Sequence, residues 1–307
     1  MTETYEVIVI GGGAAGLSAA LVLGRARRRT LVVDAGEPRN APAAHMQGFL
    51  TRDGTPPAEF LAIGRAEIAR YGVDLVRDRA VDASKGDGFA VTLASGRRVR
   101  GRALVVATGL RDELPPVRQV AERFGRDVLH CPYCHGWEVR DRAFGVLATT
   151  PMSVHQALMV SQWSKDVTLF LHTVAESDLS DEDLRRLAAA GVKVVPGEVA
   201  GLVIEDDRLT GVRLADDTVH DREVLFVAPR ALPRTDLLER LGAELRETPF
   251  GAYPVVDETG LTTVPDVWAA GNVMGFSEQV VNAAAAGYRA GAVINGVLLM
   301  ADLDAHL

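Results

Sequence analysis

The run Tyr5-Glu6-Val7-Ile8-Val9-Ile10 is almost unbroken apolar sequence. That is the pattern of a central parallel strand covered on both faces. It ends in Gly11-Gly12-Gly13-Ala14-Ala15-Gly16, and residues 17–23 are good helix formers. Thr30-Leu31-Val32-Val33-Asp34 is a second short apolar run, closed by an acid. Strand, glycine turn, helix and strand in this order predict the opening of a Rossmann unit. Residues 36–60 are rich in Pro, Gly, Asn and Thr and predict an ordered loop. A helix over 57–71 and a strand at Val73-Asp74-Leu75-Val76 follow. Between 88 and 106, apolar and polar positions alternate around Ser95-Gly96, predicting an antiparallel hairpin. Leu104-Val105-Val106 then runs into Ala107-Thr108-Gly109 as another apolar strand ending in glycine.

A second set of the same elements begins near Ala143. Strands are predicted at 144–148, 167–171 and 192–195, helices at 153–164 and 184–190, a hairpin over 202–219, and a closing strand at 224–228. After Pro233 the first pattern returns. Val267-Trp268-Ala269-Ala270-Gly271-Asn272 is a short strand ending in a small-residue turn, and residues 277–299 form a long Ala-rich helix. The expected fold class is α/β with two Rossmann-like domains, the second inserted into the first. The expected boundaries are 1–112 with 236–307 for the outer domain and 113–235 for the inserted one.

The glycine turn suggests the first ligand. Gly11 allows a tight turn, Gly13 lets backbone approach a pyrophosphate, and Gly16 lets helix and strand pack closely. With Ala14 and Ala15 these residues open a helix whose N-terminal N–H groups favour an anion. Asp34 stands where it can take the ribose hydroxyls of an adenosine. Thr108-Gly109 at a strand end, followed by a change of domain, favours FAD over NAD. Gly271-Asn272 leads to a last helix. If that helix starts near Gln279 and Val280, its N-terminus can point at the flavin pyrimidine edge and favour negative charge there.

The only two cysteines lie in His130-Cys131-Pro132-Tyr133-Cys134-His135-Gly136. One reading is a redox dithiol, with Pro132 opening a short helix whose N-terminus stabilises a thiolate. Cys131-x-x-Cys134-His135 also fits c-type haem attachment, which needs export, and no leader is visible in the acidic start Met1-Thr2-Glu3-Thr4. Zinc would need a second pair of ligands, and no second CxxC or HxxxH exists. Redox chemistry is the favoured reading, with no metal site. The net charge of −8 argues against a nucleic-acid partner. No apolar run reaches the roughly 18 residues needed to span a bilayer, so a cytoplasmic location is expected.

Taken from residue 5 to about 299, the chain resembles the low-molecular-weight thioredoxin reductase family. The resemblance rests on GGGAAG, the acid after strand two, ATG, the CxxC of the inserted domain, and the final strand, turn and helix. It implies that Cys134 faces the flavin and Cys131 exchanges with the partner. It also implies a homodimer. The acid/base after the pair, usually Asp, is here His135, which can move the same proton.

The inserted domain departs from the reductases. Its nucleotide turn should be glycine-rich, but reads Ala148-Thr149-Thr150-Pro151-Met152-Ser153. Where a basic residue should hold a 2′-phosphate, Leu171-His172-Thr173-Val174 is followed by Glu176, Asp178, Asp181, Glu182 and Asp183. The acidic stretch reads most simply as a solvated helix start. An intact flavin and dithiol with a lost nucleotide site resemble the dithiol oxidases of dithiolopyrrolone and epidithiodiketopiperazine pathways, the holomycin and gliotoxin types. The CPYCHG form is similar to theirs. The resemblance implies oxidation of a small-molecule dithiol to a disulfide, with O2 as acceptor and H2O2 as product. The alternatives are a thioredoxin reductase acting on a thioredoxin-like protein, with weak NADPH use or a ferredoxin donor, and a flavin-binding redox sensor. His45, in the loop after Asp34, is a further candidate for the site. Arg25, Arg27, Arg28 and Arg29 are expected to complement the dipole of the first helix.

Overall fold

The computed structural model describes residues 3–307, in two compact units. The first unit comprises the chain up to Ala41, Pro56–Asp112 and Ala231–Leu307. The second comprises Pro42–Thr55 and Glu113–Arg230. Residues 42–55, expected in the outer domain, therefore belong with the inserted one, and the return falls at Ala231 instead of residue 236. Packing draws the loop across: a side chain on Gly125 would meet the Pro42 carbonyl at 2.6 Å.

The first unit is built on a seven-stranded sheet. Its order is Asp74–Arg77, Thr30–Asp34, Glu3–Ile10, Arg98–Val106, Gly88–Leu93, Ala80–Gly86, with Val267–Ala269 also paired to Arg98–Val106. The long strand serves two neighbours in turn. Arg98–Gly101 pairs antiparallel with the hairpin, and Leu104–Val106 pairs parallel with Val267–Ala269. Strand alternation sorts the core. Val7, Val9, Val32 and Val105 face one layer with Leu17, Leu23, Ala290 and Ile294, whereas Ile8, Ile10, Leu31 and Val33 face the other with Phe89, Val91 and Leu238. The central strands are buried on both faces, as their continuous apolar runs predict.

The helices Ala14–Arg25 and Val280–Asp304 cross at backbone distance. A Cβ on Gly287 would lie 1.9 Å from the Ala15 carbonyl oxygen, so only glycine fits. The last helix starts three residues later than residue 277, because Asn272 Nδ2 donates to the carbonyls of Gly275, Phe276 and Glu278 and holds that stretch as a loop. It also runs beyond residue 299. Arg28, nearly buried, donates to Asp302, Glu6 and Asn295. Arg25 stands in the last turn of the first helix, as expected for a dipole partner, whereas Arg28 is an ion-pair hub and Arg29 lies over the Tyr5 ring. By length and composition this helix could cross a membrane, contrary to the expectation from the apolar runs. Its inner face instead belongs to the core with the first helix.

The second unit carries a parallel five-stranded sheet ordered Lys193–Val195, Val167–Phe170, Phe144–Leu147, Val224–Phe226, Val128–Leu129. Beside it lies the antiparallel set Val199–Glu205, Arg208–Leu214 and Val219–Asp221. The acidic stretch is a helix start. Ser180 Oγ accepts from the Asp183 N–H and the Ser180 N–H donates to the Asp183 carboxylate, closing a capping box before Asp181–Ala189.

Candidate active site: a dinucleotide cradle and a thiol turn

In the first unit the glycine turn is shaped by close approaches. Gly11 has φ +111°, and a side chain there would meet the Ala107 carbonyl oxygen at 2.2 Å. A Cβ on Gly16 would lie 1.8 Å from the Gly11 carbonyl oxygen. At Gly13, by contrast, a Cβ meets nothing within 4 Å. Gly13 is the N-cap of the first helix, in extended conformation and with no side-chain cap. Open space thus faces the N-terminal N–H groups of Ala14 and Ala15, which is what a pyrophosphate requires. Gly271, at φ +77°, approaches Ala15 and Ala283 closely, so both helix N-termini gather at this turn. Gln279 is the N-cap of the last helix and Val280 its first residue, as expected.

Asp34 lies at the end of its strand, 12% exposed at the side chain. One carboxylate oxygen accepts from the N–H groups of Gly12 and Gly36 at 3.2 and 3.1 Å. The other accepts from Arg77, a partner the sequence pattern did not point to. Arg77 closes the strand beside Asp34, and strand pairing was the signal that could have found it. Thr108 and Gly109 bond to residue 234. Thr108 Oγ1 donates to the Arg234 carbonyl, and the Arg234 N–H to the Gly109 carbonyl. They tie together the two passages of the chain between the units. These residues fit FAD: an open glycine turn, two helix N-termini, and an acid set at the end of the second strand.

In the second unit, Cys131 and Cys134 bracket a single helical turn, Pro132–His135. Cys131 is its N-cap and Pro132 its first residue, so the short helix opened by Pro132 that the sequence predicts is present, as one turn. The two sulfurs face each other at 2.6 Å, within reach of disulfide formation. The Cys134 N–H donates to the Cys131 carbonyl at 3.2 Å, holding the turn. Burial pushes the His135 imidazole below the ordinary value of 6.5, against smaller opposing pulls from the Cys131 backbone and Glu138. Its Nδ1 is buried and meets no hydrogen-bond partner of normal geometry among the described residues. A neutral imidazole beside Cys134 is able to accept a proton at neutral pH. His45 is solvent-exposed on the loop pinned by Met46 and Thr55.

The thiol turn rests on residues that follow the second nucleotide-type turn. Trp163 lies under Gly136, where a Cβ would meet its ring at 2.8 Å, and its ring meets Tyr133 edge-on at 5.8 Å between centroids. Tyr133 and Trp137 are themselves exposed, and Arg140 stacks on Trp137 at 4.1 Å. Among the described residues, no cluster of three or more His, Cys, Asp or Glu side chains could share a metal ion.

The turn that would hold a second nucleotide is closed on itself. The Thr149 N–H donates to Ser153 Oγ at 3.3 Å, and Ser153 N–H to the Thr150 carbonyl at 2.9 Å. The N–H groups of Val154 and His155 go to Pro151 and Met152. His172, at the position where a reductase would place a phosphate-binding base, turns inward, and its Nδ1 accepts the Val199 N–H at 3.1 Å. Burial lowers its pKa as well.

Comparison with known proteins agrees with this arrangement. Residues 5–287 match the Pyridine nucleotide-disulphide oxidoreductase family. Thioredoxin reductase sirT of Leptosphaeria maculans is 32% identical, with 98% of this chain and 97% of that protein aligned. Thioredoxin reductase aclD of Aspergillus oryzae is 30% identical over 87% of this chain and 88% of its own length. The crystal structure of HlmI superposes with a TM-score of 0.94 at 48% identity, covering 100% of this chain and 96% of that one. An oxidoreductase from Agrobacterium tumefaciens gives 0.90 at 39% identity, covering 98% and 99%. The chain therefore belongs to the pyridine nucleotide-disulphide oxidoreductase family, as a thioredoxin reductase-like flavoprotein that binds FAD and acts in thiol–disulfide chemistry.

Proposed function

We propose that the protein oxidises a small-molecule dithiol to a disulfide, with Cys131 and Cys134 as the exchanging pair and O2 as the terminal electron acceptor. The observation that carries this reading is the closed turn at Thr149–Ser153. The N–H groups of Thr149, Ser153, Val154 and His155 are used within the turn, so a pyridine nucleotide would lose those backbone donors. An unpaired buried phosphate costs several kcal/mol, and each 1.4 kcal/mol is about tenfold in affinity.

One substrate thiolate attacks Cys131 Sγ of the Cys131–Cys134 disulfide, and Cys134 leaves as thiolate. The second substrate thiol attacks the substrate sulfur of the mixed disulfide and releases Cys131, giving the cyclic product and a reduced pair. His135 accepts and returns the proton at Cys134. FAD, when bound, would supply the acceptor for the electron pair released as the Cys131–Cys134 disulfide re-forms, and transfer of that pair with two protons to O2 would give H2O2. Gly11, Gly13, Ala14, Ala15, Gly16 and Asp34 would hold the cofactor, with Gly271 and the Gln279–Val280 helix start beside them.

A homodimer belongs to the same proposal. Val281, Ala285, Tyr288 and Ala292 recur at three- and four-residue spacing on the solvent side of the last helix, and Leu299 and Leu303 continue the stripe seven and eleven residues beyond Ala292. Such a stripe is self-complementary across a two-fold axis. Light scattering should give twice the chain mass, and Tyr288→Glu should shift it towards monomer.

The deciding experiment mixes oxidised enzyme anaerobically with NADPH, NADH or a small dithiol while flavin absorbance is followed. Fast bleaching by the dithiol and little by either nucleotide is expected. Air should then restore the yellow form with H2O2 and a disulfide product. Rapid, saturable bleaching by micromolar NADPH would return the protein to ordinary thioredoxin reductases.

A further inference from the structure

The strand pair that delivers the thiol turn ends at Leu129 and Phe226, where the Val227 N–H makes the last ladder bond to the Leu129 carbonyl at 2.8 Å. Beyond that point the order is carried by side chains. Gln156 Nε2 donates to the His130 carbonyl at 2.8 Å and to the Val227 carbonyl at 3.3 Å. His130 Nδ1 also lies 3.1 Å from the Val227 carbonyl oxygen. The His130 carbonyl is part of the peptide that leads into Cys131, so Gln156 fixes the plane of that peptide. Gln156 Oε1 is buried with no hydrogen-bond partner among the described residues. Exchanging the amide oxygen and nitrogen would set that oxygen against two carbonyls, so the orientation is determined.

Gln156 sits in the helix Ser153–Val160, which begins at the closed turn. Seven residues on, Trp163 supports Gly136 and Tyr133. Both ends of the thiol turn are therefore held by the segment that in a nucleotide-binding unit would follow the phosphate turn.

We propose that Gln156 is a positioning residue for the exchanging thiol. By holding the His130 carbonyl it sets the backbone direction at Cys131 and so the presentation of that sulfur to an incoming thiolate. The inference rests on the assignment of Cys131 as the exchanging sulfur made above. Attack at sulfur needs in-line geometry, and small misplacements of a reacting atom are costly in rate.

The test uses the reduced, FAD-loaded enzyme and iodoacetamide, with labelling at each cysteine read by mass spectrometry. In the wild type Cys131 should react faster than Cys134. Gln156→Met keeps the side-chain length and removes both donors; it should lower the Cys131:Cys134 labelling ratio by about tenfold. Flavin content should stay at the wild-type value. Gln156→Glu, a second variant, sets a carboxylate against the same two carbonyls. Its labelling ratio should recover at acid pH, where the protonated acid can donate again, and a merely structural role would not produce that recovery. An unchanged ratio in both variants overturns the proposal. So does a fall that tracks loss of flavin. Alkylation needs neither O2, a nucleotide nor substrate, so failure of the oxidase reading would leave this result intact. A wild type in which Cys134 labels faster would instead remove the assignment on which the inference rests.

Discussion

The two units open with the same sequence of elements and use it oppositely. After Glu3–Ile10 the turn is kept open: Gly13 has empty space where a side chain would stand, and the helix N–H groups face it. After Phe144–Leu147 the turn is shut: Ser153 Oγ takes the Thr149 N–H, and the Pro151 and Met152 carbonyls take those of Val154 and His155. The difference shows that the strand–turn–helix template does not itself bind a nucleotide. Binding depends on whether the N–H groups of the turn are left for a ligand or used by neighbouring oxygens. Once freed of a ligand, the second helix carries other cargo, and here its Gln156 face meets the thiol turn.

A matched pair of substitutions gives the largest expected contrast. Gly13→Glu should fill the open space and yield a colourless protein. Met152→Glu, on an exposed side chain of the shut turn, should leave flavin content and dithiol turnover unchanged. Equal flavin retention in the two variants, measured by absorbance of the purified proteins, would end the comparison.

The cysteines should also be unequal. Cys131→Ser leaves Cys134 as thiolate, so a long-wavelength charge-transfer absorption should appear. Cys134→Ser should lose both that band and flavin reduction by dithiols. The opposite pattern would exchange the two roles.

His135→Ala should slow turnover by about 10² to 10⁴ with FAD still bound. Because burial lowers the His135 pKa, the neutral base persists below pH 6.5. Wild-type kcat/KM should therefore hold as pH falls past 6.5 and drop only at the lowered value. The sign for stability follows from linkage. The unfolded chain binds the proton more readily, so this contribution is complete above 6.5 and is lost as pH falls from 6.5 to the folded value. His172 acts in the same direction. A wild-type profile in His135→Ala would place the acid/base elsewhere.

The smallest effect concerns the shut turn. Ser153→Ala leaves the Thr149 N–H without its acceptor and should cost about 1 kcal/mol of stability, read by denaturant melts. It should not create NADPH binding, since Pro151 still shapes the turn. Micromolar NADPH affinity in that variant would mean that one hydrogen bond alone shuts the site.

Much of the fold and of the cofactor cradle is legible in the amino-acid sequence. The buried strands stand out as continuous apolar runs, and the glycine turn is recognisable because strand and helix flank it. The last helix is legible as an Ala-rich run, although its start at Val280 lies three residues beyond the expected residue 277. The hairpin Leu245–Thr248 with Gly251–Pro254 is not legible. Its strands are four residues each, Leu245-Arg246-Glu247-Thr248 and Gly251-Ala252-Tyr253-Pro254, too short to show a period, and tertiary pairing holds them. The move of residues 42–55 into the second unit is equally hidden, because a Pro- and Gly-rich loop carries no signal of what it packs against.

The sequence by itself determined the chemistry: which turn can admit a phosphate, which residues can exchange disulfides, and which histidine stands next to them. These are local properties, set by glycine backbones and by neighbours one to four residues apart. Only the tertiary structure decided where each donor is used. It showed that His172 and Ser153 turn inward, that Arg77 holds Asp34, and that Gln156 supports the peptide before Cys131 from 26 residues away. A hydrogen bond between distant residues leaves no period in the chain. It arises because burial obliges each polar group to find a partner, and the fold alone fixes which partners are within reach.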